Sequence, residues 1–281
     1  MILVDLNQVV ISNLMVQINN YKQEAEEGLV KHMILNSILS IKKKFGNDYG
    51  NIVLCCDNKN FWRKDIFPHY KASRKKARAE SNHNWTAIFE VLNKIRDEIK
   101  EYFPYKVIEV HGAEADDVIS TLCKNKGPMD RILILSGDKD FIQLQKYPGV
   151  TQYNPITKRP VSHEDPWRYA KEHVMRGDKS DGIPNFLSDD DTFVTDKRSK
   201  KILKTKLEAW KNLCPTEFCD EKMYRGWKRN EQLVDLGHTP ADIKQKIVDQ
   251  YDTYEYNQRD KLLNYFVKNK LRNLTEHIGD F

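Results

Sequence analysis

Carboxylates crowd one stretch of this sequence. Glu114-Ala115-Asp116-Asp117 opens an apolar, helix-like run, Ile132-Leu133-Ile134-Leu135 reads as a short strand, and Ser136-Gly137-Asp138-Lys139-Asp140 follows it. Acids therefore flank one helix–strand unit, and two of them come at the C-terminal end of a strand, where open α/β sheets place their sites. Like charges held together repel and raise one another's pKa. A chain that gathers them is suited to hard divalent cations such as Mg²⁺ or Mn²⁺, which prefer oxygen ligands. The chemistry such a centre offers is metal-assisted attack on a phosphodiester.

Other elements feed the same place. Met1 to Leu6 and Asn51 to Cys56 are continuous apolar runs of the kind buried in parallel sheets, and they deliver Asp5 and Asp57 at their C-terminal ends. A lone strand-end aspartate ordinarily caps a turn. Three strands each ending in an acid argue instead for one shared site. Tyr105 to Val110 is a third strand of the same sheet, and Glu114 to Asp117 follow it. Acids in a first helical turn suit the helix dipole, but three in four positions exceed what capping needs. In a regular helix Asp116 lies about 200° from Glu114, which allows Glu114 to precede the helix proper and one of the three acids to be support rather than ligand.

Helices are expected over Glu24 to Phe45, with Gly46 as a stop, and over Trp85 to Phe103, closed by Pro104. Asp140 begins a short helix, Val150 to Tyr153 is a further strand, and Glu164 to Arg176 is helical with Pro166 near its start. Gly177-Asp178-Lys179-Ser180-Asp181-Gly182-Ile183-Pro184 is a tight turn carrying two aspartates. Asp189-Asp190-Asp191 reads as a solvated loop, and from Lys201 onward the chain is helical with breaks near Pro215, Gly237 and Pro240. The fold class expected is α/β: a mostly parallel central sheet flanked by helices, with residues 1–180 as the α/β domain and 181–281 as a C-terminal helical region.

The net charge of +5 is too small to diagnose a nucleic-acid partner, but its distribution is informative. Lys59 to Arg78 holds eight Lys or Arg against one acid, Asp65, and Lys197 to Lys211 holds seven against Glu208. The first run starts just after Asp57 and interleaves Phe61, Trp62, Phe67, His69 and Tyr70 with its cations, as a strand-gripping element does. Five scattered cysteines without a CxxC pair argue against zinc and disulfides and for a reducing cytoplasm. No apolar run approaches the ~20 residues of a membrane span, and no leader pattern precedes the first strand.

Strand-Asp5, strand-Asp57, Glu114-Ala-Asp116-Asp117, Gly137-Asp138-Lys-Asp140 and Gly177-Asp178-x-x-Asp181-x-Ile-Pro, in this order, resemble the 5′ nuclease or flap endonuclease family, in particular its ribonuclease H branch from T-even-type bacteriophages. Trp62-Arg63-Lys64-Asp65, Tyr70-Lys71, Tyr147-Pro148 and Tyr265-Phe266-Val267-Lys268 extend the likeness through nearly the whole chain.

The resemblance implies that Asp5, Asp57, Glu114, Asp116, Asp117, Asp138, Asp140, Asp178 and Asp181 form a two-Mg²⁺ site, with Mn²⁺ able to substitute. One ion is expected mainly with the strand acids, Asp116 and Asp138, the other with Asp140, Asp178 and Asp181. Residues 58–84 correspond to the family's arch over a 5′ single strand. Tyr70, Lys71 and Arg74 match its substrate-steering side chains, joined by Arg63, and Lys64, Lys75 and Lys76 belong to the same basic face. The implied activity is 5′→3′ exonuclease and flap cleavage on DNA and RNA–DNA hybrid, with removal of lagging-strand primers. A single-strand-binding protein and a sliding clamp are implied partners of a monomeric enzyme. The family's glycine-rich duplex-clamping turn is missing after Ile183-Pro184, and Lys197 to Lys206, including Lys200, Lys201 and Lys204, is the candidate replacement. Two rivals are a ribonuclease of the PIN class, which predicts a shorter chain without a basic arch, and a non-catalytic binding protein, which predicts an incomplete acid set.

Overall fold

The computed structural model describes residues 1–21, 27–127, 129–195, 197–257 and 259–281. Six strands form one sheet in the order β3-β2-β1-β4-β5-β6. They are β1 (Ile2–Asp5), β2 (Ile52–Cys55), β3 (Lys106–Ile108), β4 (Ile132–Leu135), β5 (Val150–Asn154) and β6 (Arg159–Val161). The first five pair in parallel and β6 closes one edge antiparallel to β5. Connections from β1 run to one side through β2 and β3, and the sheet continues on the other side through β4. The crevice between β1 and β4 is thus the switch point at which parallel sheets bind ligands.

The helices are α1 (Leu6–Tyr21), α2 (Glu27–Tyr49), α3 (Arg63–Ile66), α4 (Ala72–Glu80), α5 (Trp85–Tyr102), α6 (Ala115–Asn125), α7 (Pro166–Arg176), α8 (Lys204–Trp210), α9 (Pro215–Phe218), α10 (Glu221–Val234), α11 (Ala241–Asp252), α12 (Asp260–Lys268) and α13 (Arg272–Thr275). Strand periodicity sorts the core. Ile2, Val4, Ile52, Leu54 and Leu133 face α2, α5 and α12, whereas Leu3, Val53, Ile132 and Ile134 face α6 and α11. Both faces are covered, which is why the strands read as unbroken apolar runs rather than alternating ones. A third cluster, around Phe67, Tyr70, Met175, Phe186 and Trp227, joins the segment between α3 and α4 to α7 and α10.

Several expectations shift here. Helix α1 follows β1 without a loop and was not foreseen, and neither was β6. The expected start of the next helix at Glu24 lies outside the described residues. That helix passes through Gly46 and stops at Gly50, whose φ of +84° ends it and whose amide bonds to the Gly46 carbonyl. Along this helix Leu29 is exposed, while Val30 and Ile34 are buried. The Asp189–Asp191 segment is not a free loop. Asp190 pairs with Arg225 and, at 2.6 Å, with Arg229, while Asp189 and Asp191 meet Lys222 and Lys197. The C-terminal helices return to the sheet: Leu262, Tyr265, Phe266 and Phe281 are buried in the same core as β1.

Candidate metal and phosphodiester site

The acids converge on the C-terminal edge of the sheet. Asp5 is the last residue of β1 and lies beside Cys55 of β2, two residues before Asp57. Val4 pairs with Leu135 of β4, three residues before Asp138. Asp5 accepts hydrogen bonds from the Gln8 amide (3.1 Å) and the Ser136 hydroxyl (3.2 Å). Asp57 accepts from the Asn7 side chain (2.6 Å) and from the Ala115 amide at the start of α6 (2.8 Å), so it also fixes that helix. Asp138 accepts the Asp140 amide at 2.9 Å. Among the described residues no hydrogen bond reaches the Asp116 carboxylate.

Burial, with Asp57 and Asp138 nearby, pushes the Asp5 carboxyl up to about 7. Burial also raises Asp116 well above the carboxylate range, with Asp138, Glu114 and Asp5 adding to the effect against the attraction of Lys71. Asp138 rises to about 6 through burial and the charge of Asp140. These three acids act on one another, and among the described residues no cation is hydrogen-bonded to any of them.

A second set is the reverse. Arg63, 1% exposed, donates to Glu114 Oε2 (2.9 Å) and spans both oxygens of Asp117 (2.9 and 3.0 Å). Its Nε donates to the Leu233 carbonyl of α10. Asp117 also accepts from Trp62 Nε1, from the Thr239 hydroxyl and from the Glu114 amide. Burial would lift its carboxyl, but Arg63 and these donors hold it below the usual range. Asp181 is similar: against its burial, Lys71, Arg74 and the Tyr70 hydroxyl keep it low. Tyr70 bridges Glu114 (3.0 Å) and Asp181 (2.9 Å), Lys71 reaches Glu114 at 2.5 Å, and Arg74 pairs with Asp181.

Two glycines bring the Gly177–Pro184 turn this close. Gly177 has φ +65° and a Cβ there would run into the Ile183 and Pro184 carbonyls, while one on Gly182 (φ +76°) would meet the His69 carbonyl at 2.9 Å. The Lys71 amide donates to the Asp181 carbonyl at 2.7 Å, and Lys71 itself is held at φ 56°, an uncommon conformation for a side-chain-bearing residue. The turn and the base of the arch are therefore one packed unit.

Arg63 and Tyr70 were expected to touch nucleic acid; both are buried and engaged with carboxylates, so neither surface is open to a strand. Asp117 was expected among the metal-site acids, with one acid of its motif as support; its side chain is 0% exposed and taken by Arg63, Trp62 and Thr239, so it is the supporting one. It is a positioning group that fixes α6. Lys64, Lys75, Lys76, Lys200, Lys201 and Lys204 are exposed, and Arg74 keeps 41% of its side chain in solvent beside Asp181. The sequence pattern missed His173. Its Nε2 lies 2.7 Å from Asp140 Oδ1, and Asp140, His173 and Asp178 each offer a ligand atom within 4.8 Å of the others. The signal that could have found it is its place on the last turn of α7, four residues before Gly177.

A sequence model described as the 5′–3′ exonuclease N-terminal resolvase-like domain matches residues 1–176, and one described as the T4 RNase H C-terminal domain matches residues 170–281. The chain belongs to the 5′–3′ exonuclease family. It is 35% identical over 291 residues to the ribonuclease H of Enterobacteria phage T4, covering 99% of this chain and 95% of that protein. A 5′–3′ exonuclease of Buchnera aphidicola is 31% identical over 176 residues, covering 59% of this chain and 57% of that one. The PIN-like fold is shared with the D15 protein of phage T5 co-crystallised with metal ions, at a TM-score of 0.61 and 17% identity over 90% of this chain and 99% of that one. The flap endonuclease of the same phage, in a complex with DNA and metal ions, matches at 0.61 and 18%, covering 89% and 97%. As a member of the 5′–3′ exonuclease family the chain is a metal-dependent nuclease, a hydrolase acting on phosphodiester bonds, which removes the non-catalytic rival. No helix among the described residues is long and apolar enough to cross a membrane.

Proposed function

We propose that this 5′ nuclease removes RNA primers during phage DNA replication, cutting from the 5′ end of RNA–DNA hybrid and DNA duplexes and at 5′ flaps. The observation that carries the reading is the group Asp5, Asp116 and Asp138: one buried and two half-buried carboxylates with raised pKa values and, among the described residues, no cation hydrogen-bonded to them. An oxygen-only donor set of this kind fits hard divalent cations, Mg²⁺ with Mn²⁺ as a substitute. Asp5, Asp57, Asp116 and Asp138 would hold one ion, and Asp140 and Asp178 the other, while Asp181, expected as a further ligand, is taken by Lys71, Arg74 and Tyr70.

Bound there, the ions would supply a water of lowered pKa and neutralise charge on the leaving oxygen. The protein's own groups do the positioning. Lys71 and Arg74 line the boundary between arch and acids, where they bind the scissile phosphate and offset charge as it develops. Glu114 holds Lys71 directly, and Glu114 and Asp117 fix the start of α6 through Arg63. The arch, with Lys64, Lys75 and Lys76, grips the 5′ strand, and Lys200, Lys201 and Lys204 in the C-terminal part, residues 181–281, hold the duplex. The enzyme works as a monomer in the host cytoplasm, and its C-terminal helices meet a single-strand-binding protein and a sliding clamp.

The test is cleavage of a 5′-labelled flap duplex and an RNA–DNA hybrid with Mg²⁺ and with chelator. Release of short 5′ products only with Mg²⁺ is expected. Tight, salt-sensitive binding without cleavage under any divalent ion would sink the reading.

A further inference from the structure

The acids expected from sequence offer only oxygen. The structure adds a nitrogen. His173 Nε2 stands 2.7 Å from Asp140 Oδ1 and within 4.8 Å of a carboxylate oxygen of Asp178. Two donors each about 2.1 Å from one ion are separated by roughly 3–4 Å, so the 2.7 Å hydrogen bond between His173 and Asp140 has only to open by a few tenths of an ångström for both atoms to share an ion. The ring is not free to wander: it packs beside Tyr169, one turn earlier on α7, at 6.1 Å between centroids. Its helix ends at Gly177, whose amide bonds to the His173 carbonyl, and the next residue is Asp178. Backbone geometry thus fixes the imidazole and the Asp178 carboxylate relative to each other before any ion arrives.

We propose that His173 Nε2 is a ligand of the second cation, beside Asp140 and Asp178, and that it shifts this position from Mg²⁺ toward Mn²⁺ and other first-row divalent ions. The inference rests on the two-cation reading above. Mg²⁺ prefers an all-oxygen octahedron and retains its waters, whereas imidazole suits first-row transition ions. The strand-end position, built from Asp5, Asp116 and Asp138, has no such nitrogen and keeps the preference for Mg²⁺. The two positions then differ in the metal they select. The competing role for His173 is to orient Asp140 by hydrogen bonding without touching the ion.

Pulsed EPR of the full-length protein loaded with two equivalents of Mn²⁺ separates the two roles. Direct ligation gives a nitrogen hyperfine coupling that changes when the protein is labelled with ¹⁵N-histidine, a result that needs no variant. In His173→Gln the coupling disappears and Mn²⁺ binding at the second position weakens by ~10–100-fold, while Mg²⁺ binding measured by competition changes by less than about threefold. A second Mn²⁺ bound with no nitrogen coupling overturns the proposal and leaves the nuclease reading intact. An equal loss of both metals in the variant also overturns it and assigns His173 to orienting Asp140. If no second ion binds at all, both the proposal and the two-cation reading fall.

Discussion

Asp116 and Asp117 are neighbours in sequence and opposites in environment. Asp117 is enclosed by a guanidinium, an indole N–H, a hydroxyl and a backbone amide, and its charge is fully answered inside the protein. Asp116, one residue earlier on α6, is near the charges of Asp5 and Asp138 and receives no hydrogen bond among the described residues. The same division runs through the whole acid set. Glu114, Asp117 and Asp181 are paired with Arg63, Lys71 and Arg74, while Asp5, Asp116 and Asp138 have, among the described residues, no cation hydrogen-bonded to them, and only the more distant charge of Lys71 acts on Asp116. The comparison separates acids that build the site from acids that wait for an external cation. An aspartate's identity and position in a motif do not say which it is; the cations folded against it do.

The division can be broken from either side. Arg63→Ala leaves Asp117 buried without a cation and Glu114 with Lys71 alone, and should destabilise the protein by about 3–5 kcal/mol. Thermal or denaturant unfolding checks this, and a loss below about 1 kcal/mol would show that the inner acids do not depend on their cation. Asp138→Asn should act in the opposite sense. Cleavage should fall by more than the ~10–100-fold that follows loss of a supporting partner, with substrate binding retained, while the metal-free protein becomes more stable because a repelling buried charge is gone. Substrate binding by a variant that still cleaves normally would remove Asp138 from the site. The Lys71→Ala, Arg74→Ala pair should slow flap cleavage by ~10²–10³-fold with far-ultraviolet circular dichroism unchanged. A normal rate would mean the arch base does not contact the scissile phosphate.

The pH response sharpens the contrast. The Asp5 and Asp138 carboxyls are raised to about 7 and about 6, so between pH about 4 and about 7 the metal-free folded state holds protons that the unfolded chain releases. Their contribution to stability therefore falls as pH rises through that window. Asp117 and Asp181 are lowered, so what they contribute is present above the ordinary carboxylate range and is lost as pH drops below it. The melting temperature gained on adding Mg²⁺ should be larger at pH 8 than at pH 5. An equal gain at both would contradict the uncompensated state of the outer acids. The smallest effect is expected at Lys200, Lys201 and Lys204: each neutralised lysine should lower the salt slope of duplex binding by about 1 without changing the chemical step.

The sheet was legible because strands buried on both faces leave unbroken apolar runs, and β4 came out residue for residue. Helix α1 was not, because it starts at Leu6 straight from the strand and has neither an acidic first turn nor a loop to announce it. β6 is a three-residue edge strand, exposed on most of its length, with no apolar signature. At the site the acids could be read as a set because they recur at strand ends. The burial of Arg63 could not: in a run of eight cations nothing local distinguishes the one that faces inward, since its partners Glu114 and Leu233 are 51 and 170 positions away. His173 was hidden for the same reason, as an ordinary polar residue on an amphipathic helix until α7 is placed against Asp140.

The return of α12 to the sheet bears on how the molecule comes into being. Tyr265 bonds to Glu98 across 167 positions, and Asn269 receives the buried Lys31 ammonium across 238. Contacts of this reach form late, because loop closure must be met before they repay it. Until they form, Phe103 and its neighbours lack the aromatic layer of Tyr265, Phe266 and Phe281 that covers them. A chain emerging from the ribosome therefore carries its acids long before the aromatic layer that covers this side of the sheet is in place.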